Sequence, residues 1–61
     1  MNPQSEEFLK EIQDANADVR YAAWIRTGQM DVEVIPELGK LVTSAPPGVR
    51  RAAEEALKNM W

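Results

Sequence analysis

Sixty-one residues without cysteine or histidine exclude disulfides, Cys/His metal or haem sites and the commonest general base. A net charge of −3 excludes a basic field for nucleic acid or an anionic membrane, so neither is an expected partner. A single domain of this length buries only about 60% of its unfolded surface, which leaves little margin of stability.

Four helices follow from the pattern. The first starts at Asn2-Pro3, with Asn as N-cap and Pro at the first helical position, and ends near Asp14. Its apolar residues Phe8, Leu9 and Ile12 share a face. Asn16-Ala17-Asp18 is a turn that caps a second helix from Val19 to about Met30. Asp31 caps a third, whose stripe is Ile35, Leu38, Leu41 and Val42. Pro36 falls within its first two turns, so regular helix is expected from about Ile35. Thr43-Ser44-Ala45-Pro46-Pro47-Gly48 is the clearest breaker, and a fourth helix runs from about Pro47 to Asn59. The connections are short, so neighbouring helices should be antiparallel. No segment alternates with the period of two that a strand requires.

The chain also repeats itself thirty residues apart. Glu7/Glu37, Lys10/Lys40, Ala15/Ala45, Val19/Val49, Arg20/Arg50, Ala22/Ala52, Ala23/Ala53 and Met30/Met60 are identical pairs. Such a period marks stacked helical units, here residues 1–30 and 31–60 of one domain. At about 100° per residue, Val49, Ala52, Ala53, Ala56, Leu57 and Met60 fall in one sector of the fourth helix, opposite Arg51, Glu54, Glu55 and Lys58. In the second helix Val19, Ala22, Ala23 and Met30 reproduce that sector. Yet Tyr21, Trp24 and Ile25 stand where the fourth helix is charged, and Arg26 replaces Ala56 on the inner face.

Asp18-Val19-Arg20-Tyr21-Ala22-Ala23 and Gly48-Val49-Arg50-Arg51-Ala52-Ala53 resemble the D-x-V-R-x-A-A helix start of HEAT-type repeats, in particular the short phycobilisome-lyase-related kind. Gly28-Gln29-Met30 and Val34-Ile35-Pro36-Glu37-Leu38 are similar to the family's helix end and second-helix start. The resemblance covers nearly the whole chain, as about two units. It implies an all-α fold, either a short right-handed stack of helix pairs or a compact helical bundle, that serves as a natural or engineered scaffold for protein–protein contacts. It also implies that Arg20 and Arg50 pair with acidic residues such as Asp14 and Asp18.

The doubled apolar character of the second helix admits two outcomes. Tyr21, Trp24 and Ile25 either lie under Phe8, Leu9 and Ile12 as core or form an exposed anchor patch, since Tyr and Trp dominate interface hot spots. The expected contact residues are Tyr21, Trp24, Ile25 and Gly28, the glycine allowing close backbone approach. Trp61, after an apolar helix end with no polar cap, is expected to be buried in this chain or in a second copy. The expected function is therefore a non-catalytic protein–protein interaction module, or alternatively a self-associating homodimer or domain-swapped element. Glu6, Glu7 and Glu11, and Glu54 and Glu55, are carboxylate clusters without a histidine, a cysteine or a phosphate loop beside them, so neither catalysis, a metal nor a cofactor is expected. The opening residues carry neither a signal peptide nor a membrane span, and a cytoplasmic location is expected.

Overall fold

The computed structural model describes residues 1–60. They form four α-helices: α1 Pro3–Ile12, α2 Ala17–Trp24, α3 Val34–Ser44 and α4 Pro47–Lys58, with a short 3-10 turn at Thr27–Gln29 between α2 and α3. No strand occurs among the described residues.

Each boundary has a local cause. Asn2 caps α1 as expected, its side chain accepting the Ser5 backbone N–H at 2.8 Å. Asn16 does the same for α2, accepting from Asp18 at 2.8 Å. Helix α3 begins at Val34, so Pro36 occupies its third position, where a missing N–H has no intrahelical partner to lose. Asp31 does not cap that helix directly. It takes up the Glu33 N–H at 3.0 Å in a tight turn just before it. Pro47 opens α4 at a first-turn position, where its ring is accommodated.

The second helix departs from expectation. It stops at Trp24 and does not run on to Met30. Beyond Ala23 the hydrogen bonds tighten to a three-residue spacing, Arg26 to Ala23, Gln29 to Arg26 and Met30 to Thr27. The buried Thr27 hydroxyl donates to the Trp24 carbonyl at 2.7 Å, which satisfies a helix-end acceptor with a side chain.

The core is one cluster: Phe8 and Ile12 from α1, Ala23 from α2, Val34 and Leu38 from α3, and Ala52, Ala53 and Ala56 from α4. Four of these eight are alanines, so helix α4 presents a surface without bulk on which α3 rests most extensively. Helix α2 lies against α1 and α4. Leu9, Trp24, Met30, Leu41, Val42, Leu57 and Met60 pack half-buried around the rim. No buried side-chain polar atom lacks a partner among the described residues.

Two expectations about α2 do not hold. Ala22, assigned to the inner sector by analogy with Ala52, is exposed; only Ala23 is buried. Arg26 does not replace Ala56 on the inner face, because the helix has already ended; it forms an ion pair with Glu11 of α1 at the surface.

Candidate functional site

The candidate surface is built on α2. The burial of Ala23 sets the roll of the helix, and residues spaced i, i+3, i+4 and i+7 from Asp18 then share the opposite, outer face. Tyr21, Ala22 and Ile25 are those residues, with Asp18 one turn earlier, and all are exposed. Tyr21 and Ile25 retain 54% and 57% of their accessible surface and stand side by side on this face.

Trp24 is the hinge between this face and the interior. It packs half-buried against the core cluster. Its ring meets that of Tyr21 edge to face, 5.0 Å between centroids and 75° between planes. That geometry sets the positive ring edge against the negative face, the favoured arrangement for an aromatic pair. Trp24 is thus neither core nor free anchor: it supports the exposed Tyr21 from behind.

The end of this face is fixed by the far end of the chain. The Asn59 side-chain amide donates to the Trp24 carbonyl at 2.9 Å, so that carbonyl receives both Asn59 and Thr27. Gly28 is exposed, and a Cβ there would stand 3.3 Å from the Asn59 carbonyl oxygen. The close approach that Gly28 permits in this structure is to the chain's own α4 end. Trp61, the remaining expected contact residue, lies outside the described residues.

Arg20 and Arg50 do not pair with carboxylates among the described residues. Arg20 Nη1 donates to the backbone carbonyls of Asp14 at 2.8 Å and Ala15 at 3.1 Å, closing the chain just after α1. Its guanidinium lies where a Cβ on Gly48 would meet Nη2 at 3.0 Å, so the first turn of α4 leaves room for it. Arg50 is exposed and forms no ion pair among the described residues. Of the carboxylate clusters, Glu55 is engaged by Arg51 at 3.7 Å and Lys58 at 3.3 Å, an exposed surface network of small energetic weight. No group of acidic residues among those described is arranged to hold a metal ion.

Sequence reasoning missed two features. Val32 is 70% exposed in the loop before α3, a residue whose type gave no sign of it. A shallow groove of about 160 Å³ runs between α1 and α3, lined by Leu9, Gln13, Glu37, Lys40 and Leu41. The half-buried Leu9 and Leu41 follow from the apolar stripes, but their meeting across two helices is set only by packing.

No helix among the described residues is long and apolar enough to cross a membrane. Comparison with family models, with curated proteins and with solved structures finds no match to this chain.

Proposed function

We propose that this chain is a non-catalytic protein–protein interaction module, a two-unit HEAT-like stack of antiparallel helix pairs that binds its partner through the outer face of α2. The observation that carries this is the exposed Tyr21 and Ile25, supported by Trp24, on the helix whose repeat counterpart is charged at the same positions. An exposed aromatic anchor offers large contact area, and exposed apolar patches mark interaction sites.

A second reading is favoured by the alanine-rich core. With half of its buried apolar residues alanine, the chain gains little from burial alone, and an isologous homodimer closing over α2 would add apolar area.

A photo-crosslinking side chain at position 21 or 25, with position 54 on α4 as control, distinguishes these readings in the protein's own cell. Adducts to another protein from positions 21 and 25 but not 54 support the module. Adducts of twice the chain mass, with a light-scattering mass that rises with concentration, support the dimer. Equal labelling from all three positions, or none, would remove α2 as the contact face.

A further inference from the structure

Helix α1 is capped in part by a residue from far along the chain. In an ordinary capping box the third helical residue is Glu or Gln and reaches back to the N-cap backbone N–H. Here that position is Ser5, whose side chain is too short for the task. The carboxylate comes instead from Glu33, at the entry to α3. Its Oε2 accepts the Asn2 backbone N–H at 3.1 Å and the Ser5 hydroxyl at 2.7 Å. Ser5 is 1% exposed, and its own N–H is bound to the Asn2 side chain, so the cluster is closed on itself. Asp31 orients the residue that supplies this carboxylate, its Oδ1 accepting the Glu33 backbone N–H at 3.0 Å.

We propose that Asn2, Ser5 and Glu33 form a release catch: the ionised Glu33 carboxylate completes the N-terminal cap of α1 from across the fold, and its protonation frees the first turn of α1 from the α3 entry. An ionised acceptor makes hydrogen bonds roughly twice as strong as a neutral one, and a negative charge at a helix N-terminus is favoured by the helix dipole. Protonation removes both advantages at once. Phe8 lies one turn further along α1 and is fully buried, so an opening that spread by one turn would begin to uncover the core.

Few charges bear on Glu33. The Met1 ammonium on the N-terminal segment attracts it, and the Asp31 carboxylate on its own loop is engaged with its backbone N–H. Helix α1 offers it only the uncharged Ser5 hydroxyl and Asn2 N–H. The Ser5 hydrogen bond, then that of Asn2, holds its carboxyl below the ordinary glutamate range. A lowered folded-state value means the catch contributes above the unfolded value and is lost as pH falls through the folded one. The release window therefore lies below the ordinary titration of glutamate.

Amide hydrogen exchange, corrected for intrinsic rates and compared between α1 and α4, tests this alongside a carboxyl ¹³C titration of Glu33 in the parent chain. In the parent, acid should speed exchange in the first turn of α1; at neutral pH Glu33→Gln should speed it by roughly three- to tenfold, leave α4 unchanged and abolish that acid response. Ser5→Ala should do the same to a lesser degree. Uniformly faster exchange in α1 and α4, or a parent acid response that survives in Glu33→Gln, would overturn the catch. If Glu33→Gln does not fold, the titration decides: a Glu33 midpoint below the ordinary glutamate range supports the catch, and an ordinary midpoint overturns it.

Discussion

Helices α2 and α4 open on nearly the same residues, Val19-Arg20-Tyr21-Ala22-Ala23 and Val49-Arg50-Arg51-Ala52-Ala53, and then diverge. The later helix runs twelve residues and buries Ala52, Ala53 and Ala56; the earlier one runs eight and buries Ala23 alone. Their arginines differ as well: Arg20 closes the end of α1, whereas Arg50 faces solvent. One motif in two settings thus presents a broad face in one case and a single alanine in the other. The difference lies in the neighbours. Helix α4 meets α3, α2 and α1, so a wide sector of its surface is covered. Helix α2 meets α1 and α4 and leaves its outer side open. A repeat in sequence specifies a helix start; how far the helix rolls and how much of it is covered depends on what packs against it.

The largest effect should come from removing the support of the better-covered half. Leu38 is fully buried, and Leu38→Ala should cost about 2–5 kcal/mol by urea unfolding, enough to unfold a domain of this size. A melt within a degree of the parent would mean that α3 does not carry the core.

A matched pair then sharpens the contrast between the two helices. Ala52→Leu inserts bulk into a closed interface and should destabilise by about 1–3 kcal/mol. Ala22→Leu, at the equivalent repeat position, adds bulk at an exposed site and should stay within about 0.5 kcal/mol. Equal costs at the two sites would show that both helices bury the same sector after all.

Smaller still is the arginine contrast. Arg20→Ala removes two hydrogen bonds to backbone carbonyls and should cost about 1 kcal/mol, while Arg50→Ala should fall within about 0.5 kcal/mol. At the bottom of the scale, Tyr21→Phe, which keeps the ring pair with Trp24, combined with Ile25→Ser should leave the melting temperature nearly unchanged, because the groups removed are exposed. A large loss of stability would mean that these residues serve the fold and not a partner.

Much of the helical layout is legible in the chain. The caps Asn2 and Asn16, the Pro46-Pro47 break and the positions of Leu38, Phe8 and Ile12 follow from side-chain hydrogen bonding, proline geometry and apolar periodicity, all of which act over a few residues. The end of α2 is less legible: the helical pattern runs on to Met30, whereas in the structure the Trp24 carbonyl is taken up by the Thr27 hydroxyl and the Asn59 side chain. Half of the candidate site was readable as an excess of apolar residues on α2, but whether Tyr21, Trp24 and Ile25 lay inside or outside was open, because periodicity records which residues share a face and not what covers it.

What the sequence by itself determined is therefore local: four helices, their starts to within about two residues, and most of the inner faces of α1 and α4. The tertiary structure alone decided the roll of α2, the half-burial of Trp24 beneath Tyr21, the turning of Arg20 onto backbone carbonyls, and the capping of α1 by Glu33. The reason is distance along the chain. Helix caps and turns form between residues two to four apart and leave a pattern in the sequence. Asn2 and Ser5 meet Glu33 across 31 and 28 residues, and Trp24 meets Asn59 across 35. Nothing in the identity of either partner announces the other until the core has brought them together.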